Sequence, residues 1–497
     1  MNNDQRLMAN VQPADWVNPV PQSRYDLVVV GAGTGGLVTA AGAAGLGAKV
    51  ALIEAHRMGG DCLNVGCVPS KGVIAAARAW QAAGDAEKFG GPGVGGTGDF
   101  GAAMERMRRL RADLSVVDSV SRFTGLGVDV FLGRGRFTGR DQVEVDGQTL
   151  RFRRAVIATG ARAAAPPLPG LADAGYLTNE TIFSLTTLPP RLLVLGAGPI
   201  GCEMAQSFAR FGSRVTVIDR APRILHRDDP DAAAVVHHAL VRDGVTIALG
   251  SMVEQVERRG AETTVTYSID GVRHTVSGDA LLVAAGRKPN VEDVGLEGAG
   301  VQYDPQGVVI DDRLRTSNRR IFAVGDVCSK LQFTHSADFQ ARLVLANALF
   351  FGRGRNSALV IPWATYTSPE VAHVGITVED AARDGVRLDT VTVPLHDVDR
   401  AVLEGETDGF LRVHLRQGTD RILGVTIVDS HAGELIGEAC LAVTNRLRIG
   451  ALGRTIHPYP TRAEAYRKAA DQWRRGKLTP AVRRILGLWF RAFRRIT

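Results

Sequence analysis

The chain has 497 residues, 45% of them hydrophobic and 22% charged, with five cysteines and a formal net charge of +7. That composition belongs to a globular protein of three or four domains and excludes a disordered chain or a disulfide-stapled secreted scaffold. Residues 474–497 hold eight basic side chains and no acid; taking those eight from +7 leaves −1, so the basic balance is a feature of the tail and we expect no nucleic-acid partner.

The N-terminal stretch MNNDQRLMANVQPADWVNPV lacks the basic and apolar segments of a signal peptide, and no apolar run reaches the roughly 18 residues of a membrane span. The expected location is cytoplasmic. Residues 26–55 then read as an apolar strand, a G-x-G-x-x-G turn (Gly31, Gly33, Gly36), a small-residue helix, a second apolar strand and an acid, Glu54. The first glycine makes the tight turn, the second admits a pyrophosphate to the backbone, and the third lets helix pack on strand. The helix N-terminus favours the phosphate charge, and the acid accepts hydrogen bonds from ribose hydroxyls.

Five residues after Glu54 begins Gly59-Gly60-Asp61-Cys62-Leu63-Asn64-Val65-Gly66-Cys67-Val68-Pro69-Ser70-Lys71. Residues five apart on a regular helix have Cα atoms about 8 Å apart, whereas a disulfide needs about 4.4–6.8 Å. A bridge between Cys62 and Cys67 therefore calls for a loop or a distorted first turn, and Gly66 and Pro69 suit one. A dithiol so close to a nucleotide site points to electrons passing between cofactor and disulfide. Cys202, Cys328 and Cys440 are isolated from one another and read as small core residues.

Residues 80–100 contain a glycine-rich loop, 102–122 a helix, and 130–158 strands alternating around Asp146-Gly147, ending in the buried strand before Thr159-Gly160. Residues 191–220 repeat the first fingerprint with Gly196, Gly198, Gly201 and Asp219; each acid follows its first glycine by 23 residues. Strands continue to about 285, followed by Gly286-Arg287-Lys288-Pro289-Asn290, then a strand over 321–325 with Asp326 at its end. From about 360 the pattern becomes α+β, with strands at 391–393, 410–415 and 421–429, helices at 434–446 and 462–473, and no glycine fingerprint.

Taken together, these motifs resemble the pyridine nucleotide–disulfide oxidoreductase family over residues 24–478. The resemblance implies an α/β protein with two Rossmann-like FAD- and NAD(P)-binding domains plus a C-terminal α+β dimerisation domain. It divides the chain into an FAD domain with the redox disulfide (1–185), an NAD(P) domain (186–290), the FAD domain continued (291–358), the dimerisation domain (359–478) and a basic tail (479–497). FAD is implied at the first fingerprint, with Thr159, Gly160 and Asp326 beside it, and NADH or NADPH at the second, with Gly286 and Arg287 among the nucleotide-binding positions; no resident metal and a homodimer are expected. Asp219 favours NADH by repelling a 2′-phosphate, although Arg220 and Arg223 stand close enough in sequence to hold one. Matched residue by residue, Cys67 is the thiolate facing the flavin, Cys62 the sulfur that exchanges with the acceptor, and Lys71 pairs with Glu203 near the flavin's reactive edge.

The chain departs from the family at two places. Disulfide-reducing members carry H-P-T-x-x-E, whose histidine holds the exchanged proton and whose glutamate orients it. Here the segment is His457-Pro458-Tyr459-Pro460-Thr461-Arg462-Ala463-Glu464, which puts Tyr459 at the base position and His457 two residues earlier. Mercuric reductases are similar in having a tyrosine there, beside their metal ion, but this chain lacks their vicinal C-terminal cysteines and their N-terminal C-x-x-C domain. The tail is the second departure: after Pro480, apolar residues fall at helical spacing between arginines, a pattern that can lie on an anionic membrane. Three functions compete: a reductase of the mercuric type acting on a metal ion, a dihydrolipoamide or other low-molecular-weight disulfide oxidoreductase with His457 as base, and a flavin-bearing redox sensor.

Overall fold

The computed structural model describes residues 1–93 and 98–496. Part of the expected glycine-rich loop lies outside the described residues, as do Thr497 and the side chains of Arg495 and Ile496. The chain forms two compact units, one of residues 1–224 and 240–361, the other of 225–239 and 362–497.

In the first unit, strands β1 (Tyr25–Val30), β2 (Val50–Glu54), β3 (Val128–Leu132), β4 (Arg136–Gly139), β5 (Gln142–Val145) and β6 (Gln148–Ile157) run in the order β3-β2-β1-β6-β5-β4, and Ile321–Ala323 also pairs with β6. The strands from β3 to β6 and Ile321–Ala323 are parallel, whereas β4 and β5 are antiparallel. The apolar run of β1 follows from this position: Leu27 and Val29 enter the core on one face, Tyr25, Val28 and Val30 the core on the other. Asp146 (φ 47°) and Gly147 (φ 74°) turn the chain between β5 and β6 with two positive φ angles, a hairpin geometry that an Asp-Gly pair supplies.

A second parallel sheet orders Thr246–Ala248, Arg214–Ile218, Arg191–Leu195 and Ala280–Val283, and a three-stranded meander spans Met252–Gly278. The sequence thus builds the strand–helix–strand unit twice. Two details differ from expectation. The helix expected at 102–122 is broken into Phe100–Leu114, a short 3₁₀ turn and Val120–Gly125. Ser119 causes the break: it is extended (ψ 149°) and its Oγ accepts from the Arg122 N–H at 3.1 Å, starting a new helix. An unforeseen helix, Asn3–Val11, is capped by Asn2 and Gln5 and buries only Leu7 and Val11, too few anchors to stand out in the sequence.

The second unit carries a five-stranded antiparallel sheet ordered Trp363–Thr365, Glu370–Gly375, Ile422–Asp429, Phe410–Arg416 and Leu388–Pro394. Helices Ala432–Thr444 and Glu464–Gly476 follow it, and Pro480–Ile496 ends the chain. No helix among the described residues is long and apolar enough to cross a membrane.

Candidate active site

The first fingerprint makes a cradle that leaves no room for side chains. Gly31 has φ +104°, and a Cβ there would lie 2.3 Å from the Ala158 carbonyl oxygen. At Gly36 a Cβ would lie 1.8 Å from the Gly31 oxygen, so this glycine brings helix Thr34–Gly45 against the turn. Gly33 caps that helix with no side-chain bond to its free N–H groups, which leaves them for an anion. The Cys segment packs directly against this loop: a Cβ on Gly60 would stand 2.6 Å from the Gly33 Cα.

In front of the cradle is a cavity of about 920 Å³, and it gathers residues far apart in sequence, among them Gly31, Glu54, Cys62, Cys67, Thr159 and Asp326. Gly33, Lys71, Gly160, Glu203 and Arg287 line it as well. The glycine cradle, the open helix N-terminus and a cavity of this volume fit a dinucleotide such as FAD.

The two cysteines sit on either side of a helix break, as the spacing requires. Cys62 lies in helix Gly60–Asn64 and Cys67 is the first residue of helix Cys67–Gly84. Gly66 makes the break close: a Cβ there would be 2.8 Å from the Asp61 oxygen and 3.3 Å from the Cys62 Cα. Both sulfurs are free thiols in hydrogen-bond contact. Cys62 donates to Cys67, and this bond, helped by Thr334 and the Lys71 charge, lowers the Cys67 pKa to about 6. The same bond, with burial, pushes the Cys62 thiol up. Thr334 Oγ1 is 3.2 Å from Cys67 Sγ; it is distant in sequence and carries no motif.

Lys71 lies one turn below Cys67, and its Nζ is 3.1 Å from Glu203 Oε2. Glu203 comes from helix Pro199–Phe211 of the second fingerprint and is only 5% exposed. The sequence left Arg287 among the nucleotide positions without a partner. Strand Arg287–Pro289 pairs with Ala161–Ala163, which brings the guanidinium to 2.5 Å from Asp61 and 3.4 Å from Asp326. Burial raises the Asp326 carboxyl above its ordinary value, opposed by this arginine.

The second fingerprint repeats the cradle. Gly196 has φ +110° with its Cβ position 2.5 Å from the Ala284 oxygen, and the Gly201 Cβ position is 1.9 Å from the Gly196 oxygen. Around Gly198 the space is open. The acids hold their own turns: Glu54 accepts from the Ala32 and His56 N–H groups at 2.6 and 2.8 Å, and Asp219 accepts from Ala197 and Ala221 at 2.5 and 2.7 Å. Gly286 (φ +137°) accepts through its carbonyl from the Ala164 N–H at 3.0 Å. Cys202 is fully buried behind this turn, while Cys328 and Cys440 are half-buried.

Residues 457–464 belong to the second unit and are ordered by partners the motif does not name. Arg462, 5% exposed, is 2.9 Å from Asp429 and 2.7 Å from Glu404, and also pairs with Glu406. His457 is half-buried as a residue, but its ring is 6% exposed and stacks on Tyr466, with Nε2 3.1 Å from Glu438 and Nδ1 enclosed without a hydrogen-bond partner. Tyr459 is 71% exposed, and its hydroxyl donates to Asp399 at 2.9 Å, which raises the phenol's pKa. Glu464 pairs with Arg467 rather than with His457 or Tyr459, so the contact expected of an orienting glutamate is made by Asp399 instead. No group of histidine, cysteine, aspartate and glutamate with metal-ligand geometry occurs among the described residues.

Comparison with known proteins agrees with this architecture. The family profile described as pyridine nucleotide-disulphide oxidoreductase matches residues 25–341, and its dimerisation domain matches 361–470, which supports a homodimer. A mercuric reductase of Lysinibacillus sphaericus is 35% identical over 91% of this chain and 83% of its own. A dihydrolipoyl dehydrogenase of Chlamydia muridarum is 33% identical over 90% of this chain and 96% of its own. Among solved structures, the HOCl-induced flavoprotein disulfide reductase RclA of Escherichia coli is similar with a TM-score of 0.79 and 28% identity, over 90% of this chain and 99% of that one. LpdA of Mycobacterium tuberculosis is similar with a TM-score of 0.81 and 28% identity, over 91% of this chain and 100% of that one. With two dinucleotide cradles, a cysteine pair between them and a dimerisation domain in one chain, the protein belongs to the pyridine nucleotide-disulphide oxidoreductase family, as an oxidoreductase that uses FAD and NAD(P)H.

Proposed function

We propose that the chain is an NAD(P)H-dependent reductase of a soft divalent metal ion, of the mercuric type, working through Cys62 and Cys67. The overall change is NAD(P)H plus M²⁺ giving NAD(P)⁺, H⁺ and M⁰. FAD, when bound, supplies the two-electron link between nicotinamide and sulfur. The residues divide the remaining work. Cys67 is the low-pKa sulfur and Cys62 the high-pKa one, so a single thiolate is stabilised beside Lys71 while the other sulfur meets the acceptor. Glu203 holds the Lys71 ammonium from a buried position. The Asp61–Arg287 pair joins the Cys segment to the Ala161–Ala163 strand and keeps the break at Gly66 in place.

The observation that carries the metal-ion reading is at 457–464. Tyr459 is exposed on the second unit, while His457 is enclosed and held by Glu438. A neutral phenol with its pKa raised is a poor shuttle for a dithiol proton at pH 7, whereas its oxygen can stand beside a metal ion. We assign this position to the dithiol of the second subunit, as the resemblance to the family implies. The similarity to mercuric reductases at 35% identity supports the same acceptor class. The dihydrolipoamide reading needs an accessible histidine, and the enclosure of His457 tells against it.

The test is steady-state oxidation of NADH and NADPH by the purified dimer against mercuric ion, lipoamide, glutathione disulfide and a quinone. Mercuric ion should support turnover, with lipoamide and glutathione disulfide slower by about 10²-fold or more, the lower end of what an acid–base group contributes. Faster turnover of lipoamide than of mercuric ion, lost in His457→Ala, would overturn the proposal.

A further inference from the structure

The C-terminal helix carries none of the residues assigned above to the redox path. Pro480–Ile496 is helical throughout, and the segment from Arg474 onward has eight basic residues and no acid. Its sequence divides by helical position. Val482, Ile485, Leu486 and Trp489 recur at intervals of three and four, while Arg483, Arg484, Arg491 and Arg494 fall on the opposite side. Ile485, Leu486 and Trp489 are 65%, 39% and 64% exposed, so the second unit does not cover this apolar face. The helix is too short and too charged to span a bilayer.

We infer that this helix is an in-plane anchor for an anionic lipid surface. A lipid interface offers an apolar layer and a layer of negative headgroups side by side, and the helix presents the matching pair: leucine, isoleucine and tryptophan on one face, arginines on the other. Arginine stems can lie along the apolar layer while the guanidinium groups stay among phosphates. Charge complementarity argues against a second copy as occupant, because the rest of the chain has a net charge of only −1 once the eight tail charges are taken from +7. The single-sign charge makes the attachment salt-sensitive. A flavoenzyme held this way delivers its reducing chemistry at the membrane face.

The test uses the full-length flavin-loaded dimer with sedimenting vesicles of phosphatidylcholine, with and without phosphatidylglycerol. The protein should sediment with the anionic vesicles at low salt, stay in solution with neutral ones, and be released at about 0.5 M salt, where the screening length falls to a few ångströms. Two full-length variants separate the contributions. R483Q/R484Q/R491Q/R494Q removes four of the eight positive charges, and I485S/L486S/W489S removes the apolar face. Each should reduce anionic-vesicle binding by about tenfold or more, with flavin content and NAD(P)H oxidation unchanged, because every redox residue lies elsewhere. Sedimentation of neither vesicle type would overturn the inference, as would equal sedimentation of wild type and both variants. So would higher assemblies in the absence of lipid that the I485S/L486S/W489S variant disperses, since the apolar face would then serve a second copy.

Discussion

The dithiol cavity of the first unit and the 457–464 segment of the second are both stretches where family chemistry is expected, yet they behave differently under the same physics. In the cavity, the local sequence already contains the cause of where the two sulfurs and Lys71 sit. Gly66 lets Cys67 fold back on Cys62, and Lys71 follows Cys67 by one turn. In the 457–464 segment the residues named by the motif are placed by partners outside it: Asp399 takes the Tyr459 hydroxyl, Glu438 takes His457, and three carboxylates hold Arg462. A motif is a dependable guide where its own backbone geometry sets the chemistry. It is a weaker guide where long-range ion pairs decide which side chain faces out.

The largest effect that would break this contrast is at the sulfurs. Cys67→Ser and Cys62→Ser should each reduce acceptor turnover to background. Their spectra should differ: Cys62→Ser should show a long-wavelength band from the Cys67 thiolate beside FAD without any reductant, and Cys67→Ser should never show it. In the two-electron-reduced wild type the band should be present above about pH 6 and lost as pH falls through that value, because the Cys67 pKa is lowered and protonation removes the donor. Lys71→Gln should move that midpoint upward, since its charge favours the thiolate. If Cys62→Ser lacks the band at every pH, the two cysteines have been assigned the wrong way round.

Next in size is Arg462. Its guanidinium neutralises Asp429, which is fully buried, so Arg462→Met strands a charge in the second unit. Breaking a buried pair on one side costs about 3–5 kcal/mol. Chemical denaturation followed by circular dichroism should show that loss, and a change below about 1 kcal/mol would place the segment's order elsewhere.

Tyr459→His sharpens the comparison by restoring an imidazole at the exposed position. Lipoamide or glutathione disulfide turnover should rise by about 10²-fold, the lower end of the range for general acid–base catalysis. His457→Ala should change it much less, as that ring is enclosed. An unchanged disulfide rate in Tyr459→His would leave Tyr459 as a surface aromatic without part in the reaction.

The smallest effect concerns the reductant. Asp219 ends the second strand of the second cradle, holds the Ala197 and Ala221 N–H groups, and is the acid we assign to the ribose. It should disfavour a 2′-phosphate, giving NADH a kcat/KM advantage of about tenfold. A higher kcat/KM for NADPH would assign the phosphate to Arg220 or Arg223 instead.

Much of this protein was legible before any coordinates. Both cradles, the helix break between the cysteines, the Asp146-Gly147 turn and the α+β character after about 360 follow from local rules: glycine where a Cβ would strike a backbone oxygen, apolar runs where a parallel sheet is buried on both faces, and an Asp-Gly pair where φ is positive. The Ser119 break and the Asn3–Val11 helix were missed because one hydroxyl cap and two buried side chains are weak signals against the noise of composition.

Other features were decided only by the tertiary structure. The closeness of Thr334 to Cys67, the reach of Arg287 to Asp61 and Asp326, the pairing of Tyr459 with Asp399 and the enclosure of His457 all join residues distant along the chain. Periodicity and turn chemistry report how a segment folds and which of its faces is apolar. They carry no information on which distant charge or hydroxyl the packed elements bring within 3 Å or so, and hydrogen bonds and ion pairs at that range are what set the pKa values and exposures of reactive groups.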